Sequence, residues 1–259
     1  SQNTILKSSL YMQSEHDYVV VIPARYHSTR LPGKPLIKIL GIEMLQRTYN
    51  QCLKAVDKEK IFVATDSKKI TDYCIENNIQ SLLTSKNCLT GTDRIAEVSK
   101  MIDAKVYINV QGDEPLLNPD DLKLLIESSE EYPDIIFNGY CEIDDNSQYI
   151  SENIPKVVFS NTKDLLYMSR SPIPFHKNKK NHHSYRQVCI YAYPKNVLSI
   201  FLEQPKKTKF ESYEDIEILR FLELGCKIKM LKMSSESVAV DVPKDIIKVE
   251  EILKLSNEK

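Results

Sequence analysis

The chain has 259 residues, 42% hydrophobic and 27% charged, with 35 Lys and Arg against 36 Asp and Glu for a formal net charge of -1. That length holds one large α/β domain or a domain plus a smaller lobe, and the balance leaves no broad basic field for nucleic acid or an anionic membrane surface. No apolar run reaches the length of a membrane span, so no insertion into a bilayer is expected.

In chain order, residues 1–17 lack the compact apolar segment of a secretion signal and are read as a flexible extension, with one domain over 18–259. Residues 18–22 (YVVVI) form a β-branched run, the pattern of a strand covered on both faces. A polar loop over 27–35 leads to a helix over 44–56 with an apolar stripe through Met44, Leu45, Tyr49, Cys52 and Leu53. A strand at 61–65, a helix over 68–77 capped by Asp66 or Ser67, a strand at 81–84, a helix over 92–102 and a strand at 106–110 follow. This alternation predicts βαβ units and an α/β fold with a doubly wound, mostly parallel sheet.

After residue 134 the rhythm changes. Strand patterns at 134–143, 156–159 and 187–193 cluster, and the segment 134–200 reads as a smaller antiparallel or mixed lobe suited to subunit contact. Residues 176–184 (HKNKKNHHS) form a polar loop, and adjacent histidines there, His182 and His183, read as loop residues rather than a metal site. Helices are expected at 194–202 and 213–224, strands at 227–233 and 238–240, and a closing helix over 243–255 that starts at a proline. The cysteines at 52, 74, 88, 141, 189 and 226 make no C-x-x-C pair, and reduced thiols in a cytoplasmic protein are the expectation.

Six glycines, at 33, 41, 91, 112, 139 and 225, cannot supply G-x-G-x-x-G or a P-loop. The candidate phosphate site is the turn after the first strand, Pro23-Ala24-Arg25 through Arg30 to Lys34. It carries three cations on a segment stiffened by Pro32 and Pro35 and leaves the carboxyl end of a buried strand, where ligands of open α/β sheets bind. Guanidinium forks match phosphate oxygens, and a lysine adds a point charge. Asp113, at the end of the 106–110 strand, and Asp241, after the 238–240 alternation, are strand-terminal carboxylates, and Mg²⁺ on a triphosphate takes one or two of these. Each taken alone is equally a turn or capping residue.

The motifs RYHSTRLPGKPL (25–36), VATD (63–66), TGTDR (90–94), VQGDEP (110–115) and VDVPKDI (240–246) together resemble the 3-deoxy-manno-octulosonate cytidylyltransferase (CMP-KDO synthetase) family, from residue 18 to near 253. The resemblance implies a nucleotide-diphospho-sugar transferase-like fold and a homodimer. The implied activity joins CTP to an acidic 3-deoxy sugar for lipopolysaccharide or capsule synthesis, with Mg²⁺. It assigns Pro23, Ala24, Arg25, Arg30, Lys34, Gly91, Thr92 and Arg94 to CTP, and Asp113 and Asp241 to the metal, with Arg25, Arg30, Lys34 and Asp113 catalytic. It assigns Gln111, Arg170, Gln187, Tyr191, Glu211, Glu214 and Glu217 to the sugar. Of the three glutamates the outer two, Glu211 and Glu217, read as well as members of a solvated helix stripe. Gln187, Cys189 and Ile218 depart from the family pattern, which keeps a modified octulosonate or a nonulosonate as an alternative substrate. A non-catalytic nucleotide-binding relative is the alternative from another class.

Overall fold

A computed structural model describes residues 16–177 and 183–257. In chain order the elements are β1 (His16–Pro23), β2 (Lys38–Ile39), β3 (Ile42–Glu43), α1 (Met44–Leu53), β4 (Ile61–Thr65), α2 (Lys68–Glu76), β5 (Ser81–Leu83), α3 (Gly91–Val98), β6 (Ala104–Val110) and α4 (Pro119–Glu131). Then come β7 (Ile136–Glu142), α5 (Asn146–Ile150), β8 (Lys156–Phe159), β9 (Leu165–Ser169), β10 (Tyr185–Pro194), α6 (Lys195–Glu203), α7 (Lys209–Glu214), α8 (Ile218–Glu223), β11 (Ile228–Lys232) and α9 (Pro243–Asn257).

Among the described residues the central sheet runs β11-β7-β10-β6-β1-β4-β5, with β8 on β10 and β9 on β8. β6, β1, β4 and β5 are parallel neighbours, and β11 is parallel to β7. β10 runs antiparallel between β6 and β7, and a register shift between Val188 and Tyr191 marks a bulge. This is the mostly parallel α/β fold that the alternation of elements predicts.

The alternation of side chains along β1 builds two cores. Val19 and Val21 pack with residues of α3, α6 and α8 on one face, while Val20 and Ile22 pack with α1, α2 and α4 on the other. Helices therefore cover both faces of the sheet, which explains why β1 reads as an unbroken apolar run. A third cluster of Leu31, Ile39, Met44, Val240 and Val249 fastens the β2–β3 hairpin to α9.

Several expectations need correction. β1 starts at His16, ahead of the expected domain start at 18, and residues 1–15 of the expected extension lie outside the described residues. The antiparallel strands expected within 134–200 are present and extend the main sheet through β10. No strand forms at 238–240; Val240 instead donates its N–H to the Asp113 carbonyl at 3.0 Å. The expected helix at 213–224 is two helices, α7 and α8, because Asp215 takes a left-handed conformation with φ of 52°. The helix α4 and the strand β9 were not expected. His182 lies outside the described residues, which contain no group of three or more His, Cys, Asp or Glu able to hold a metal alone.

Gly139 on β7 shows how tightly the sheet centre is packed. A Cβ there would meet Met233 Cγ at 2.9 Å, Ile190 Cγ2 at 3.1 Å and Val188 Cβ at 3.1 Å. Gly139→Ala is expected to destabilise the fold by about 1–3 kcal/mol through overpacking. Urea titration reads this as a lower midpoint at constant slope, and an unchanged midpoint would contradict the packing described here.

Candidate active site

Three turns meet at the carboxyl ends of β1 and β6. The Gly112 N–H donates to the Pro23 carbonyl at 3.3 Å, and a Cβ on Gly112 would lie 3.0 Å from that same oxygen. A Cβ on Gly91 would sit 3.3 Å from Gln111 Nε2 and 3.4 Å from Pro23 Cγ. The turn after β1, the turn after β6 and the start of α3 are therefore in van der Waals contact. Gly33, with φ of 68°, closes the first turn by donating to the Tyr26 carbonyl and so delivers Lys34 into the junction.

An open crevice of about 390 Å³ lies over this junction, within the usual size of small-molecule sites. Its walls include Pro23, Ala24, Arg25, Arg30, Lys34, Gly91, Arg94, Gln111, Asp113 and Asp241, all singled out from the sequence. Arg25 and Arg30 are exposed on one side. Lys34 Nζ donates to Asp113 Oδ2 at 2.8 Å and to Asp241 Oδ1 at 3.2 Å. Burial alone would lower the Lys34 pKa, but the two carboxylates outweigh it and hold the ammonium above its usual value.

Asp241 reaches this point because its loop is stapled to the turn after β6. Val240 bonds the Asp113 carbonyl, Ser237 Oγ donates to Glu114, and Ser234 donates to Asp121 through its N–H and its hydroxyl. Glu114 is buried, and burial together with the adjacent Asp113 charge pushes its carboxyl up to about 8. The sequence singled out the motif that contains Glu114 but missed its place in the wall, which its adjacency to Asp113 signals.

Asp113 and Asp241 are donors of the kind that Mg²⁺ takes. Two carboxylates share one ammonium ion, so the position between them already favours positive charge. Mg²⁺ that brings phosphate and water oxygens of its own needs no more than this pair.

On the opposite wall, Gln187 Nε2 donates to Asn138 Oδ1 at 3.0 Å and to Tyr191 Oη at 3.1 Å, with Cys189 between them on the same strand face. The Arg170 guanidinium lines the crevice but donates to three main-chain carbonyls, those of Glu152, Glu214 and Asp215. Glu211 and Glu217 line the wall, yet neither belongs to a solvated stripe. Glu211 pairs with Arg220, and Glu217 accepts from the Thr92 N–H and hydroxyl.

Two expected site residues lie elsewhere. Thr92 is fully buried behind the turn, within 3.2 Å of the Tyr193 hydroxyl. Glu214 faces β9, where it accepts from Tyr167, Ser169 and the Arg170 N–H. Ile218 is fully buried in the core, so this departure from the family pattern does not touch the crevice. Lys207, which pairs with Asp215 at 2.8 Å, is a wall cation the sequence did not single out.

Cations of one turn gathered with two carboxylates in a crevice at parallel strand ends suit the binding of a nucleoside triphosphate in an α/β protein. A family model described as cytidylyltransferase matches residues 19–229. The 3-deoxy-manno-octulosonate cytidylyltransferase of Escherichia coli is 34% identical over 235 residues, covering 91% of this chain and 95% of that protein. Its counterpart in Chlamydia pneumoniae is 37% identical over 244 residues, covering 93% of this chain and 95% of the relative. A solved CMP:2-keto-3-deoxy-manno-octonic acid synthetase, complexed with CTP, superposes with a TM-score of 0.86 at 33% identity, covering 94% of this chain and 100% of the other. The chain belongs to the cytidylyltransferase family, in its 3-deoxy-manno-octulosonate branch.

Proposed function

We propose that this chain joins CTP to 3-deoxy-manno-octulosonate, giving the CMP-linked sugar acid and pyrophosphate for lipopolysaccharide or capsule assembly. The observation that carries this reading is the convergence of Arg25, Arg30 and Lys34 with Asp113 and Asp241 on one crevice. Arg25 and Arg30 grip the triphosphate oxygens, and Lys34 offers a point charge. Arg94, held by Thr84 and the Ser85 carbonyl, seats the nucleotide beside the start of α3. The anomeric hydroxyl attacks the α-phosphorus, its proton passes to solvent, and the bond to the bridging oxygen breaks as pyrophosphate leaves. The three cations stabilise the charge gathering on that leaving group. Asp113 and Asp241 would hold Mg²⁺, which when bound supplies Lewis-acid neutralisation of phosphate charge.

Gln111, Gln187 and Tyr191 face the sugar in this reading. Gln187 and Cys189 on the wall favour a second substrate within the same chemistry, an octulosonate modified at one hydroxyl. Wall polar groups can discriminate strongly there, because a buried group left unpaired is costly. The six thiols are free, which suits a reducing, cytoplasmic setting. No helix of the described residues is long and apolar enough to cross a membrane. Exposed Ile150, Leu166 and Phe175 within 134–200 suit a homodimer contact.

The test is pyrophosphate release with Mg²⁺, crossing the four nucleoside triphosphates with several 3-deoxy acids. Turnover is expected with CTP and an octulosonate. CTP binding with no turnover on any acid would leave only a non-catalytic nucleotide binder.

A further inference from the structure

Arg220 on α8 is fully buried, and its guanidinium makes four hydrogen bonds to groups from three different segments. Its Nε and Nη2 form a two-pronged pair with the Glu211 carboxylate at 2.7 and 2.8 Å. Its Nη1 donates to Asp93 Oδ1 at 3.2 Å and to the Gln204 carbonyl at 3.1 Å. The cation also lies 3.8 Å from the centroid of the Phe201 ring.

The partners decide what this cluster does. The other oxygen of Asp93 accepts from the Thr90 N–H and hydroxyl, and Thr90 caps α3 in return. Asp93 thus belongs to the same segment that carries Gly91 and Arg94 to the crevice. Glu211 sits at the start of α7, in a capping box with Thr208, and lines the opposite wall. Glu217, just before α8, holds Thr92 of the first segment. One buried cation therefore ties the nucleotide-side turn to the α7–α8 break. Where α7 and α8 meet, Asp215 turns the chain in a left-handed conformation and Arg170 holds the Asp215 carbonyl.

We propose that Arg220 is a positioning residue that fixes the nucleotide-side turn and the acidic α7–α8 wall in one register, so that the two halves of the crevice are set together. This rests on the proposed function for its sugar half only. Buried ionic clusters of this kind act as a unit, and loss of one partner leaves another charge unpaired. Lysine in place of Arg220 keeps the charge but cannot make the planar fork. Asp93→Asn removes charge from the nucleotide side alone and leaves the Arg220–Glu211 pair in place.

The experiment measures equilibrium CTP binding and steady-state kinetics of the full chain, well below each variant's melting temperature. Asp93→Asn is expected to weaken CTP binding about tenfold with the KM for the sugar acid within about twofold. Arg220→Lys is expected to weaken CTP binding by at least as much and to raise the sugar KM about tenfold as well. If both variants bind CTP like the unsubstituted chain while only melting at lower temperature, Arg220 is a stability residue and the proposal is overturned. A sugar KM unmoved by Arg220→Lys overturns the joint register. If the unsubstituted chain binds CTP but turns over no acid, the proposed function fails while the CTP arm still tests Arg220.

Discussion

Asp113→Asn is expected to lower turnover by roughly a hundred- to a thousandfold, the loss seen when a preorganised charge at a reacting phosphate is removed. The asparagine has the same shape and still offers Lys34 an oxygen, so the fold and the turn after β6 are retained. What disappears is one of the two negative charges that would hold Mg²⁺ opposite the cationic turn. The Mg²⁺ concentration needed for half-maximal activity should rise, and chelation should abolish turnover of the unsubstituted chain. Circular dichroism and CTP binding distinguish a damaged site from a damaged fold. Near-normal turnover at ordinary Mg²⁺ would take Asp113 out of the metal site.

Lys34→Ala is expected to reduce kcat/KM for CTP by a similar factor, for a different reason. Among the described residues Lys34 forms ion pairs with both Asp113 and Asp241, and its ammonium is shielded, with side-chain exposure of 17%. Removing it deletes the proposed phosphate ligand and leaves two carboxylates without their shared cation. The defect should appear chiefly as a higher CTP requirement, whereas Asp113→Asn appears chiefly as a higher Mg²⁺ requirement. Saturation curves for each ligand in both variants separate the two effects. Unaltered CTP kinetics in Lys34→Ala would detach the cationic turn from the triphosphate.

Most of what positions these groups was legible in the sequence, because the signals were local. The β-branched runs of β1 and β6 end directly in the turns that carry Arg25 and Gln111, so strand ends and wall residues could be read together. The helix α4 was legible too and went unread: Asn118 caps it, Pro119 occupies its first turn, and Leu122, Leu125 and Ile126 form its buried stripe. The break at Asp215 was not legible. An aspartate adopts the left-handed region at modest cost, but nothing in the chain marks one aspartate as doing so. That break is what removes Glu214 from the crevice while leaving Glu211 and Glu217 at its wall. The absence of a strand at 238–240 follows from tertiary contact as well. Val238 and Val240, two apart around Ala239, owe their spacing to packing in the cluster of the β2–β3 hairpin and α9 and join no ladder.

The antiparallel strand β10 gives the molecule a ruler. Gln187, Cys189 and Tyr191 lie on alternate positions of one strand, Gln187 paired with β7 and Tyr191 with both β6 and β7, across the bulge between Val188 and Tyr191. Deleting or inserting one residue inside that strand would turn the side chains beyond the edit to the opposite face. The same edit in the loop before Tyr185 would leave the row in place. Length variation in that loop is therefore a free parameter for natural or laboratory divergence, while the strand itself can change only letter by letter.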